Sequence, residues 1–135
     1  MKIHYLRCGT DCPLGGALFD GFSKGPLGHI PCAAQLIETN EGLVLVDTGY
    51  GTQDVQQPHP RLSVAFRALL NIRFRIEETA LHQVKSLGYS PSDVRHIVLT
   101  HLDFDHAGGL EDFPQARVHV MEREREAAEH KRRGF

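Results

Sequence analysis

The sequence predicts a mixed fold in which a β-sheet is covered by helices. Two observations carry this expectation. Strand-type runs recur at residues 2–8, 33–38, 43–46 and 96–100. Between the last two, Ile76, Ala80, Leu81, Val84 and Leu87 recur at helical spacing. Strands and helices that alternate in this way must bury their apolar faces against one another in layers.

Taken in order, residues 2–8 alternate Ile3 and Tyr5 with His4 and Arg7, as a strand does. Residues 9–31 are rich in Gly and Pro and read as a long surface loop. The β-rich runs 33–38 and 43–46 flank Thr39-Asn40-Glu41-Gly42, a hairpin signal. The second run ends in Asp47-Thr48-Gly49, where a strand gives way to a turn. Residues 52–60 are polar and turn-like, and 61–74 read as a short helix leading into an irregular segment. The helix through Ile76 and Leu87 meets a left-handed stop at Gly88. Ser90-Pro91-Ser92-Asp93 combines an N-cap, a Pro at the first helical position and an acidic third residue, so one short turn follows. Residues 96–100 and 117–121 read as strands, and 122–133 as a highly charged helix. There are no internal repeats.

Composition narrows the function classes. A chain of 135 residues suits one unit, 1–135, with its own core. Its 41% hydrophobic and 24% charged residues are ordinary for a globular protein. A formal net charge of −2 gives no reason to expect nucleic acid or an anionic membrane as a partner. No apolar stretch approaches the roughly 20 residues of a spanning helix, and the N-terminus shows no apolar leader. Three cysteines, Cys8, Cys12 and Cys32, are an odd set with no CxxC pair and suit a reducing compartment, so the cytoplasm is expected.

Nine histidines are many for this length, and position decides which of them matter. Four potential metal ligands, His101, Asp103, Asp105 and His106, fall within six residues directly after a strand. A single His–Asp pair there would read as a solvated turn. Four ligands on one turn can aim at one point, and imidazole with carboxylate suits Zn²⁺, Mn²⁺ or Fe²⁺. Ala107-Gly108-Gly109 follows, small enough for close backbone approach.

The run Thr100-His101-Leu102-Asp103-Phe104-Asp105-His106-Ala107-Gly108-Gly109 resembles the HxHxDH signature of metallo-β-lactamase-fold hydrolases. The run from Leu43 to Val46 with its Asp47-Thr48-Gly49 turn resembles that family's earlier strand. Residues 37–42, 87–91 and 122–130 are similar to its N-acyl homoserine lactonase branch. The resemblance extends from about residue 30 to 130. It implies an α+β class, an αββα sandwich with metals at one edge of two sheets, of which this chain supplies the N-terminal αβ half. It further implies that His101 is the first ligand of one metal and that Asp105 and His106 bind a second. Asp105 would also act catalytically, orienting the attacking water or taking a proton. Asp47 would hydrogen-bond the ligand-bearing loop. Two zinc ions are the implied cofactor.

Two departures stand out. Asp103 occupies the place of the family's second His. Its oxygen can reach a metal as Nδ1 would, while the added negative charge and harder ligand weaken the preference for zinc over Mn or Fe. The family also needs three later ligands, His, Asp and His, and only Asp112, His119 and His130 follow His106. None matches those places. His29 is the one other histidine near the expected site mouth. Two readings follow. In full-length form the protein would be a metal-dependent hydrolase of a small ester-like molecule, a lactone favoured, attacked by metal-bound hydroxide. Alternatively this chain is a non-catalytic half-domain, inactive alone, that self-associates as a homo-oligomer or pairs with a C-terminal half through an exposed apolar sheet face.

Overall fold

Five strands form one sheet in the order in which they occur along the chain: β1 (Lys2–Asp11), β2 (Ile30–Thr39), β3 (Gly42–Val46), β4 (Val94–Val98) and β5 (Arg117–His119). The computed structural model describes residues 1–133, so the last two positions of the expected 1–135 unit lie outside the described residues. The first two pairings are antiparallel and the last two parallel. The β2–β3 hairpin closes at the expected corner, where Thr39 Oγ1 donates to the Gly42 carbonyl at 2.7 Å and accepts from Glu41 N–H at 3.2 Å.

Strand periodicity sorts the side chains onto two faces. Leu6, Cys8, Ala34, Leu36, Leu43, Leu45 and Ile97 lie on the covered face and are buried. Helix α5 (Ala80–Ser86) lays Ala80 and Val84 on them, and Phe113 completes this core. The helix starts where Thr79 accepts the His82 N–H at 3.2 Å. It ends as expected at Gly88, whose φ is 90°. Ser90 and Asp93 close the short turn after it, with Asp93 Oδ2 accepting Ser90 N–H at 2.8 Å. The opposite face carries Ile3, Tyr5, Ile37, Val44, Val46 and Val98, with Tyr5 80% and Val98 40% exposed. His96 and His119 stand on that face too, Nδ1 to Nε2 at 3.0 Å.

Two segments differ from the sequence expectation. The segment 9–31 is not one loop: β1 continues to Asp11, a helical turn α1 (Ala17–Asp20) follows, and β2 begins at Ile30. Glycine-rich sequence concealed this, because the β1–β2 register shifts between Arg7 and Thr10, which lets the strand continue past the glycine. The polar run 52–60 folds into α2 (Thr52–Gln56) and the start of a kinked turn α3 (Pro58–Arg61). Its polarity serves an internal network. Asp54 is fully buried, accepting Gly51 N–H at 2.9 Å and the Arg61 Nε–H at 2.7 Å. Arg61 in turn reaches Glu111 at 3.1 Å. Helix α4 (Val64–Leu70) then packs near a second core of Cys32, Tyr50, Leu62 and Ile72. The remaining helices are α6 (Phe104–Ala107) and α7 (Glu122–Arg133). All three cysteines are buried and free. Among the described residues, no helix is long and apolar enough to cross a membrane.

The turn after β3 is the tightest point of the fold. Gly49 has φ 65°, and a Cβ there would lie 2.1 Å from the Cys8 carbonyl oxygen. Gly49→Ala is therefore expected to destabilise the fold by about 3 kcal/mol, left-handed strain and overpacking together. Gly88→Ala meets open space and keeps only the strain, about 1 kcal/mol. Urea midpoints for the two variants check this. Equal losses would show that the close approach to Cys8 is relieved by a small shift.

Candidate metal centre

The site lies beyond the carboxyl ends of the parallel neighbours β3 and β4, where open sheets of this kind leave a crevice. After β3 the chain turns sharply at Asp47, whose φ of 57° is left-handed. A non-glycine residue there stores roughly 1–3 kcal/mol of strain, which the surroundings must offset. They do so through its carboxylate. Asp47 Oδ1 accepts Thr100 N–H at 2.8 Å, and Oδ2 accepts the Thr100 hydroxyl at 2.7 Å and His106 Nδ1–H at 2.9 Å. The two turns are also joined by backbone. Thr48 N–H and its hydroxyl both donate to the His106 carbonyl, at 2.8 and 2.9 Å. Gly109 N–H donates to Gly49 O and Thr48 Oγ1, each at 3.0 Å.

These bonds set the histidine tautomers. The Thr100 hydroxyl has one proton and gives it to Asp47, so it accepts from His101 Nδ1 at 3.0 Å. His106 likewise commits Nδ1–H to Asp47. In their neutral form both rings thus leave Nε2 without a proton, which is the arrangement a metal ligand requires. The ring centroids are 3.9 Å apart.

His101, Asp105 and His106 each place a ligand atom within 4.8 Å of the others. Asp105 Oδ2 lies 3.2 Å from His106 Nε2. Asp103 is not in that group. It stands at the N-cap position of α6 without a side-chain capping bond, 69% exposed, with Oδ2 3.6 Å from His101 Nε2. Two imidazoles and a carboxylate with their outer nitrogens already bonded fit a borderline divalent cation, so these residues can hold the group the fold implies.

The later candidates are placed elsewhere. Asp112 Oδ2 accepts Thr52 N–H at 2.9 Å, and burial raises its carboxyl above the usual range. His119 pairs with His96 on the open sheet face, and His130 is exposed on α7. The exposed His29 gives its backbone N–H to Asp20 at 2.7 Å, in the loop before β2. Two features escaped the sequence reading. Thr100 relays Asp47 to His101, a role with no local signal beyond its place before the histidine. Asp11 and Cys32 form a second group with Asp105, again within 4.8 Å, and nothing in their spacing marks them. Burial pushes the Asp11 carboxyl up to about 6, against the Tyr50 hydroxyl bond that lowers it.

Comparison with known proteins identifies the family. Residues 27–135 match the model of the metallo-β-lactamase superfamily. A protein named a probable metallo-hydrolase, from Mycobacterium tuberculosis, is 48% identical over 130 residues, covering 96% of this chain and 37% of its own length. An N-acyl homoserine lactonase of a Bacillus species is 34% identical over 129 residues, covering 96% of this chain and 52% of its own. A solved N-acyl homoserine lactone hydrolase, with N-hexanoyl-L-homoserine bound at its catalytic metal centre, superposes with a TM-score of 0.72 at 30% identity, over 94% of this chain and 51% of that one. The chain spans about half or less of the length of these relatives. Its mixed α+β architecture matches their fold over that span, and the chain belongs to the metallo-β-lactamase superfamily.

Proposed function

We propose that this chain supplies half of the active site of a metal-dependent hydrolase acting on a small ester-like substrate, with a lactone favoured. The observation that carries this reading is the single Asp47 carboxylate that holds His106 directly and His101 through Thr100, in each case at Nδ1, which leaves Nε2 to face a metal. His101, Asp105 and His106 would hold the metal, with Asp103 as a further oxygen ligand beside His101 and the rest of the coordination supplied from outside this chain. Two zinc ions are the favoured complement, with Mn²⁺ or Fe²⁺ as the alternatives that Asp103 opens. When bound, such ions polarise a carbonyl and lower the pKa of water. The residues of this chain position the centre. Asp47 and Thr100 hold the imidazoles, and Asp105, one-third exposed, is placed to orient a water or take its proton. The lactone preference rests on the lactonase relatives, because fold alone does not choose a substrate. A cytoplasmic setting goes with the three free cysteines.

The test is the metal content and turnover of the longest product of the gene, offered lactones, thioesters and phosphodiesters. Metal-dependent lactone turnover above the other classes is expected. A metal-loaded, folded protein that hydrolyses none of them would overturn the reading.

A second reading has its own observation. The apolar sheet face with Tyr5, Ile3 and Val98 uncovered suits a half-domain that pairs with another copy or with a C-terminal half. Sedimentation of this chain alone should then show a mass above one copy, with little lactone turnover. A lone chain that sediments as one copy and turns over lactone would rule it out.

A further inference from the structure

We propose that Asp11, Cys32 and Asp105 form a second cation site with a sulfur ligand, joined through Asp105 to the histidine centre. For that shared ligand the proposal rests on the function proposed above, while Asp11 and Cys32 lie outside the recognised motif.

The three side chains come from distant parts of the chain: the end of β1, the start of β2 and the first turn of α6. Their ligand atoms nevertheless lie within 4.8 Å of one another. Asp11 is 6% exposed and Cys32 5% exposed. Among the described residues the Cys32 thiol has no hydrogen-bond partner, and Asp11 accepts only the Tyr50 hydroxyl, at 3.2 Å. No Lys, Arg or His among them forms an ion pair with Asp11. A buried carboxylate beside a second carboxylate and a thiol is an expensive arrangement unless something positive offsets it. Ordinary core construction would place apolar or paired groups there. A divalent cation resolves all three at once, taking one oxygen from each aspartate and the sulfur as thiolate.

Thiolate and carboxylate together select a borderline cation such as Zn²⁺, with Zn–S near 2.3 Å, over the hard cations Mg²⁺ and Ca²⁺. Binding would release the Cys32 proton to solvent. The three residues leave at least one position of a tetrahedral cation open. Asp105 belongs to both groups, so the two cations would communicate through one carboxylate.

Cobalt is the probe. This chain, titrated with Co²⁺, should develop the near-ultraviolet sulfur-to-cobalt charge-transfer band along with visible d–d bands. Cys32→Ser should abolish the charge-transfer band and leave the visible bands of the histidine centre, while Cys8→Ser and Cys12→Ser keep both. Asp11→Asn should weaken the cobalt affinity of the sulfur band about tenfold or more, since even outer groups cost that much. X-ray absorption of the zinc-loaded wild-type chain, which needs no variant to fold, should show sulfur at about 2.3 Å. His106→Ala keeps the two ideas separable, because it removes the histidine centre and should leave the sulfur band in place. A cobalt- or zinc-saturated chain with no sulfur signal, or a sulfur signal that survives in folded Cys32→Ser, overturns the proposal.

Discussion

Replacing Asp47 by Asn is expected to weaken metal binding at the histidine centre by about 10–100-fold, the range seen when groups that orient a ligand are removed. The carboxylate accepts three bonds, from Thr100 N–H, the Thr100 hydroxyl and His106 Nδ1. An amide has only one oxygen to offer and turns two N–H donors toward groups that also donate. Either His106 loses its partner or Thr100 does, and with Thr100 goes the restraint on His101. Asn tolerates the left-handed backbone at φ 57° about as well as Asp, so the turn should survive. Asp47→Ala would add strain on top and is the less informative change. Isothermal titration with zinc gives the affinity. Nitrogen NMR of the imidazoles gives a readout that mere loss of stability would not move: His106 should shift from the Nδ1–H form toward a mixture of tautomers. Unchanged tautomers and unchanged affinity in folded Asp47→Asn would show that the histidines hold themselves in place.

The candidate site was more legible than the segments around it, for a physical reason. His101, Asp103, Asp105 and His106 are close in sequence, and a turn can gather them without help from elsewhere. Asp47 stood out because a strand of apolar residues ended on it. The hairpin at Thr39–Gly42 and the stop at Gly88 were legible because local backbone chemistry fixes both. Thr52–Gln56 was not, because its helix is held by a buried polar residue, Asp54, whose partner Arg61 lies in the next element. Apolar periodicity cannot report such a contact. Asp11 and Cys32 were hidden more deeply. Their proximity depends on the register of β1 against β2, where Asp11 lies opposite Ile30, two residues before Cys32. Asp103 shows the limit from the other side. Its spacing matched a ligand, yet it stands at the exposed rim, nearest His101 and outside the group that His101 forms with Asp105 and His106.

That placement makes Asp103→His the second large effect. In the protein carrying the complete site, the substitution should tighten zinc and move the activity–pH profile to lower pH. The aspartate brings a negative charge within 3.6 Å of His101 Nε2, the atom expected to face the metal. Two unit charges about 4 Å apart interact by about 4 kcal/mol at an effective dielectric of about 20, equivalent to about three pH units. Asp103 is 69% exposed, so solvent screens most of that and a shift of about one unit is expected. The sign follows from charge. A neutral imidazole in place of a carboxylate leaves the centre more positive, and the group that must lose a proton there loses it at lower pH. Zinc affinity should rise because nitrogen suits zinc better than it suits Mn²⁺ or Fe²⁺, so the preference among the three metals should also move toward zinc. Competition dialysis with Zn²⁺ and Mn²⁺, with a pH–rate series on the metal-loaded protein, measures both effects. If Asp103 only stands exposed at the start of the turn at Phe104–Ala107 and never meets the metal, both the metal preference and the pH profile of Asp103→His will match those of the parent protein.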